Sequence, residues 1–214
     1  MKIVPSLLDA PHDWKKLKAQ LTPLVKKNLI SAVHVDVMDN EFVPNYTLDW
    51  LNANLVAMIR RAFPKLFIEV HLMVQNPEDY ADMFGSAGAN RIWWHVEAKK
   101  NKKKMEEKKR KWKNVEFGAA INPETSEKKL TGEKFTCILV MSVHPGKGGQ
   151  KFILKTLKKI TKIRRKYPRL TISVDGGINK NSIAVVANAG ANEAVPGTSV
   201  FKGNAIKNAI KLTK

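Results

Sequence analysis

Two spacings of apolar residues take turns along the chain. Short runs rich in β-branched residues alternate at period two or stay apolar throughout. Longer stretches repeat apolar residues every three or four positions. The first kind predicts eight strands: "KIVPS" (2–6), "AVHVDVM" (32–38), "LFIEVHLM" (66–73), "RIWWHVE" (91–97), "VEFGAAI" (115–121), "FTCILVMSV" (135–143), "LTISVDG" (170–176) and "NEAVPG" (192–197). The second predicts amphipathic helices in "DWKKLKAQLTPLVKK", "LDWLNANLVAMIRRAF", "PEDYADMFGSAG" and "KFILKTLKKITKIRRKY", with "NAIKNAIKLTK" closing the chain. Strands alternating with helix-length segments predict parallel βα units. Eight of them in 214 residues fit a (β/α)8 barrel at the compact end of its range, as one α/β domain over residues 1–214. A doubly wound open sheet would show a glycine-rich fingerprint after its first strand, and "PSLLDAP" has no glycine there.

One strand breaks the apolar rule. In "HVDVMDN" (34–40), Val33, Val35 and Val37 share one face, and His34, Asp36 and Met38 share the other. A buried carboxylate is costly unless something pairs with it or binds it. In a barrel, alternate strand residues point inward, and the site lies at the strands' C-terminal ends. Those ends carry Ser6, His34 and Asp36, Glu69 and His71, His95 and Glu97, Met141 and Ser142, and Ser173 and Asp175. Two histidines and two carboxylates, His34, Asp36, His71 and Asp175, converge from three strands. They form a coordination set for one divalent ion such as Zn²⁺, Fe²⁺, Co²⁺ or Mn²⁺. Hydrogen-bonded core histidines are the competing reading.

Glycine-rich turns follow the last three strands: "HPGKGGQ" (144–150), "DGGIN" (175–179) and "PGTSV" (196–200). Glycines let backbone N–H groups approach an anion, and the last two turns lead into helix starts that favour phosphate. Barrels often bind phosphate with the loops after strands 7 and 8. "HPGKGGQ" reads as a flap able to close over a ligand. Met38, Met73 and Met141 fall on the inward face at strand ends. They would line the mouth with polarizable groups that donate no proton, leaving a carbanion to the intended acids.

Composition adds limits. A 43% hydrophobic content supports a sizeable core, and no apolar run approaches the roughly 20 residues that cross a bilayer. "MKIVPSLLDAP" lacks the features of a secretory leader, so an intracellular, cytoplasmic protein with no membrane association is expected. The single Cys137 allows no internal disulfide and reads as a small buried residue. The net charge is +19, from 38 Lys and Arg against 19 Asp and Glu. Ten of those cations lie in "KKNKKKMEEKKRKWK" (99–113), which reads as a solvated helix face rather than a polyanion contact. Nucleic acid is not expected as a partner, because no recognition motif accompanies the charge.

Several segments act as motifs in a fixed order: "PSLL" (5–8), "HVDVMDNEFVPN" (34–45), "EVHLM" (69–73), "HVEA" (95–98), "VMSVHPGKGGQKF" (140–152), "VDGGI" (174–178) and "GTSVF" (197–201). Together they resemble the ribulose-phosphate 3-epimerase family, whose pattern runs PSxL, HVDVMDGxFVPN, DVHLM, HVEA, VMSVNPGFGGQxF, VDGGI and GSxVF. The resemblance spans essentially the whole chain. It implies a metal-dependent ribulose-phosphate-binding barrel of the pentose phosphate pathway, inverting carbon 3 of D-ribulose 5-phosphate to give D-xylulose 5-phosphate. By motif, His34, Asp36, His71 and Asp175 are the metal ligands, and Asp36 and Asp175 are also the acid–base pair. Ser6, His71 and the three methionines match substrate contacts. Gly146, Gly148, Gly149, Gly176, Gly177, Gly197, Thr198 and Ser199 match positions that enclose the sugar phosphate. A homo-oligomer is expected.

The chemistry fits these residues on its own terms. The carbon 3 proton lies α to a ketone, its removal gives an enediolate, and positive charge beside the oxygens stabilises that species. Inversion needs a second proton donor on the opposite face, and strands 2 and 7 lie on different sides of a barrel's axis. The chain departs from the family pattern at Asp9, Pro11, Asn40, His144, Lys147 and Pro196, none of them a metal ligand. Asn40 stands where a glycine is usual and tolerates positive φ next best. Lys147 adds a cation near the expected phosphate. The competing readings are a 3-epimerase of a related ketose phosphate such as allulose 6-phosphate, and a non-catalytic polyanion-binding barrel. A decarboxylase of the same barrel group is disfavoured by the lack of a DxKxxD motif.

Overall fold

The computed structural model describes residues 1–99, 101–131 and 135–213. Eight parallel strands follow the predicted spans: β1 (Lys2–Ile3), β2 (Ala32–Met38), β3 (Phe67–Met73), β4 (Arg91–His95), β5 (Glu116–Ile121), β6 (Cys137–Met141), β7 (Thr171–Asp175) and β8 (Glu193–Val195). Their order around the sheet is β1-β8-β7-β6-β5-β4-β3-β2. The ring closes through Ser6 and His34. There the His34 N–H donates to the Pro5 carbonyl at 2.9 Å, and the Leu7 N–H donates to the His34 carbonyl at 2.8 Å. On its other side the first strand keeps donating to β8 as far as Ser6. It therefore pairs over the predicted residues 2–6, although its regular part is short.

The helices are α1 (Trp14–Lys26), α2 (Ala53–Ala62), α3 (Pro77–Ser86), α4 (Lys102–Lys111), α5 (Thr156–Lys166), α6 (Ile183–Asn188), α7 (Thr198–Phe201) and α8 (Ala205–Thr213). The first two start where side chains cap them: Asp13 accepts from the Lys16 N–H, and Asn52 from the Leu55 N–H. Between β5 and β6 the described residues of the crossover form a 3₁₀ turn, Glu127–Leu130, instead of an α-helix. That stretch, "NPETSEKKL", has no three-to-four apolar repeat from which to build one.

Period two splits β2 into two environments. Val33, Val35 and Val37 join the large core between barrel and helices, with Leu17, Leu21 and Leu24 of α1 and Leu55, Val56 and Ile59 of α2. Ala32, His34, Asp36 and Met38 turn inward, and all seven residues are buried. The barrel interior is filled by Val4, Trp93, Leu139, Met141 and Val195. Trp93 fits because β5 carries Gly118 opposite it, where an added Cβ would lie 2.3 Å from the indole. Cys137 belongs to this inner layer, and burial pushes its thiol up to about 12, so it is an inert packing group.

The cationic run forms α4, with Lys100 outside the described residues. Several of its lysines face acids: Lys108 and Lys111 meet Asp82 of α3, and Lys109 meets Glu106. No helix among the described residues is long and apolar enough to cross a membrane.

Candidate active site

Parallel register brings the unusual strand residues together. Asp36 on β2 lies beside His71 on β3, and β7 delivers Asp175 from across the ring. His34 Nε2 stands 3.2 Å from Asp36 Oδ1 and 3.9 Å from Asp175 Oδ2. His71 Nδ1 stands 3.1 Å and 3.5 Å from the same two oxygens. One donor atom from each residue lies within 4.8 Å of all the others, and all four residues are buried. Tetrahedral ligands about 2.0–2.1 Å from a zinc-like ion sit about 3.3 Å from one another. The observed spacings bracket that value, so two imidazoles and two carboxylates fit a divalent cation.

The surroundings hold these groups in place. Ser6 Oγ donates to Asp36 Oδ2 at 2.6 Å. His34 Nδ1 lies 2.6 Å from Glu69 Oε1, which leaves Nε2 to face the cluster. Burial alone would lower the His34 pKa, but the Asp36 charge and the bonds to Asp36 and Glu69 outweigh it and raise it well above the usual value. Asp36 is held far below the carboxylate range: burial opposes this, and His34 and His71 overcome it. Burial pushes His95, behind His71, down to about 4, so it is neutral near pH 7.

Above the cluster opens a cavity of about 440 Å³. Asp36, Asp175 and Ser6 reach its floor, and Met38, Met73 and Met141 its wall. His34 and His71 lie beneath, fully buried. The far end is walled by Gly176, Gly177, Gly197, Thr198 and Ser199, and the flap brings Gly146, Gly148 and Gly149 over it. Two of these glycines are required by space as well as backbone. Gly176 has φ 106°, and an added Cβ would lie 2.2 Å from Val143; Gly177 has φ 65°, with the Phe152 backbone nitrogen 2.5 Å away. The flap is tied down by Asn45 Nδ2, which donates to the Gly146 carbonyl at 2.7 Å, and by Gln150 Nε2, which donates to those of His144 and Lys147.

Every sequence-predicted site residue therefore lies at this mouth or directly beneath it. Asn40 takes φ 64°, so the turn after β2 survives its change from glycine. Three predicted residues already donate their hydroxyls within the protein: Ser6 to Asp36, Thr198 to Asp9, and Ser199 to the Ile178 carbonyl at 2.6 Å. Several lining or supporting residues lie outside the predicted site set. Asn179 and Lys202 face the same cavity, and Glu69 backs His34. Asp9 accepts from Thr198 Oγ1 at 2.5 Å and abuts Gly148 of the flap. Glu69 was detectable from its inward parity with His71. Asp9 and Lys202 come from loops, where no periodicity points them inward.

The fold and this mouth define a class, the (β/α)8 barrels with a site at the C-terminal ends of their strands. Solved structures agree on the fold: 3-hexulose-6-phosphate synthase of Salmonella typhimurium aligns with TM-score 0.74 at 15% identity, over 100% of this chain and 97% of that one. The pattern of the "Ribulose-phosphate 3 epimerase family" matches residues 2–201. Schizosaccharomyces pombe ribulose-phosphate 3-epimerase is 38% identical over 94% of this chain and 86% of its own length. The protein named ribulose-phosphate 3-epimerase, cytoplasmic isoform, of Oryza sativa subsp. japonica is 35% identical over 94% and 87%. The chain belongs to the ribulose-phosphate 3-epimerase family.

Proposed function

We propose that this protein interconverts D-ribulose 5-phosphate and D-xylulose 5-phosphate by inverting carbon 3. The observation that carries this reading is the pairing of Asp36 and Asp175. Two carboxylates from different sides of the barrel meet at the floor of one cavity, beside three methionine side chains that donate no protons. In the forward direction one ionised carboxylate takes the carbon 3 proton, and the C–H electron pair moves into the carbon 2 carbonyl to give the enediolate. The other, protonated, delivers its proton to the opposite face of carbon 3. Ser6 and the two histidines hold Asp36 at its station. Met38, Met73 and Met141 keep stray donors from the intermediate, and the backbone N–H groups of the glycine turns and of Thr198 and Ser199 receive the phosphate. His34, Asp36, His71 and Asp175 would hold one divalent ion, which supplies positive charge beside the enediolate oxygens.

The same reading makes the protein a homo-oligomer with a sugar-phosphate substrate, acting in the cytoplasm as the rice relative's name suggests. It assigns no role to nucleic acid. The test is turnover of ribulose 5-phosphate beside allulose 6-phosphate, before and after extensive chelation. Activity on the pentose phosphate should be the higher, should vanish on chelation, and should return with Zn²⁺, Fe²⁺, Co²⁺ or Mn²⁺. Full turnover by protein shown to be metal-free, or preference for the hexulose phosphate, contradicts this function.

A further inference from the structure

The motif "HVEA" is left without a task by the proton transfers. Its first residue, His95, ends β4 and is fully buried. His95 Nε2 lies 2.9 Å from His71 Nε2, the ring nitrogen pointing away from the carboxylates. The two rings stack with centroids 5.0 Å apart, and Phe42 covers His95 at 4.8 Å. On its other side, His95 Nδ1 lies 3.2 Å from Glu97 Oε2. Glu97 Oε1 accepts the Asn122 backbone N–H at 2.9 Å.

This chain of contacts admits one arrangement of hydrogens once His71 serves as a ligand. Its Nδ1, facing Asp36 and Asp175, must offer a lone pair, so its proton is on Nε2. His95 Nε2 then has to accept. The His95 proton is therefore on Nδ1 and is donated to Glu97 Oε2. Glu97 ends the chain as an ionised group that accepts from His95, from the Asn122 backbone N–H and from the Thr125 side chain. A reversed chain would need a protonated Glu97 and would put a hydrogen on the His71 nitrogen that faces the cluster.

We propose that His95 and Glu97 are positioning residues that fix the tautomer and ring orientation of His71. His34 is held directly by Glu69, whereas His71 is held at one remove, through a second imidazole. This rests on the reading of His71 as a metal ligand.

A packing histidine and a relay respond differently to substitution. Leucine would fill the His95 site but accept nothing. Glutamine would offer an amide oxygen to His71 and an N–H to Glu97. The measurement is Co²⁺ affinity by competition with a chelator, together with the visible spectrum of the Co²⁺ protein. Loss of a hydrogen-bonding partner of a ligand typically weakens metal binding by about 10–100-fold. His95→Leu should fall in that range with an altered spectrum, and His95→Gln should recover most of the affinity. Glu97→Gln should also weaken binding, because one amide oxygen cannot serve both the His95 and Asn122 donors. Equal Co²⁺ affinity in wild type and folded His95→Leu overturns the relay. If that variant does not fold, unchanged affinity in Glu97→Gln overturns it. Nitrogen-15 NMR of the Zn²⁺-loaded wild type needs no variant: His95 protonated on Nδ1 supports the relay, and His95 protonated on Nε2 overturns it. Should His71→Ala bind Co²⁺ as tightly as wild type, the ligand assignment itself has failed, and the relay with it.

Discussion

The two ends of the barrel interior use the same ingredients differently. At the N-terminal end, buried Arg91 donates to Glu69 at 3.0 Å, Glu193 at 2.6 Å and Glu116 at 2.6 Å, while Lys2 reaches Glu193 at 3.3 Å. Each carboxylate there has a permanent cation. Burial works against the guanidinium, but the surrounding carboxylates more than offset it and raise its pKa. At the C-terminal end, Asp36 and Asp175 have no fixed cation: they face imidazoles, the Ser6 hydroxyl on Asp36, and an open cavity. His34 joins the two ends, with Nδ1 on Glu69 and Nε2 toward Asp36. The contrast separates structure from chemistry: carboxylates neutralised by fixed cations hold the ring together, and in the proposed function the carboxylates left for an ion or a substrate do its work.

The largest effects should come from the C-terminal end. Asp36→Asn and Asp175→Asn keep size and remove one proton-transfer group each, a contribution of about 10²–10⁴-fold. Both should lose at least that much kcat and still show the circular dichroism of a folded barrel. If either variant keeps more than about a tenth of the activity, the two-carboxylate mechanism is wrong.

Arg91→Met should give the opposite signature. It leaves Glu69 and Glu193 buried without their cation, which typically costs about 3–5 kcal/mol of stability. Denaturant unfolding should show that loss. The kcat of the folded fraction should fall by less than the roughly 10–100-fold expected when a direct partner of a metal ligand is lost. A variant as stable as wild type but catalytically dead would merge the two ends into one functional unit.

The C-terminal end could be read from sequence, and much of the N-terminal end could not, for a definite reason. His34 and Asp36 stand two apart in a valine strand, so one pleat puts both inward whatever the neighbouring strands do. Asp175 before two glycines and His71 before Met73 carry similar local signals. The Arg91 network depends on register between strands: Glu69 beside Arg91, and Arg91 beside Glu116. No spacing within one segment encodes that. The strand count was legible because apolar β-branched runs are local. The crossover before β6 shows the limit, since its described residues form a 3₁₀ turn where the repeat implies a helix. Asp9 was visible only as a departure from a pattern, and its bond to Thr198 needed the loops to be placed.

The smallest effects concern the surface charge, where position should outweigh amount. Lys147 sits on the flap and lines the cavity. One exposed cation near an anion is worth roughly 0.2–1 kcal/mol. Lys147→Ala should therefore raise KM for the sugar phosphate by about 1.4- to 5-fold, and more at low salt. Lys102 and Lys103 lie on α4, after β4, which stands opposite β8 in the ring. Neither makes an ion pair among the described residues, so reversing them disturbs no contact seen here. The double variant Lys102→Glu, Lys103→Glu changes the net charge four times as much as Lys147→Ala. Screening over about 8 Å at physiological salt should nevertheless keep its KM within about twofold of wild type. KM for both variants at low and physiological salt decides the matter. A large rise in the α4 variant with none in Lys147→Ala would mean that the +19 charge acts on the substrate as a whole field, and would turn α4 from a solvated face into a polyanion-attracting one.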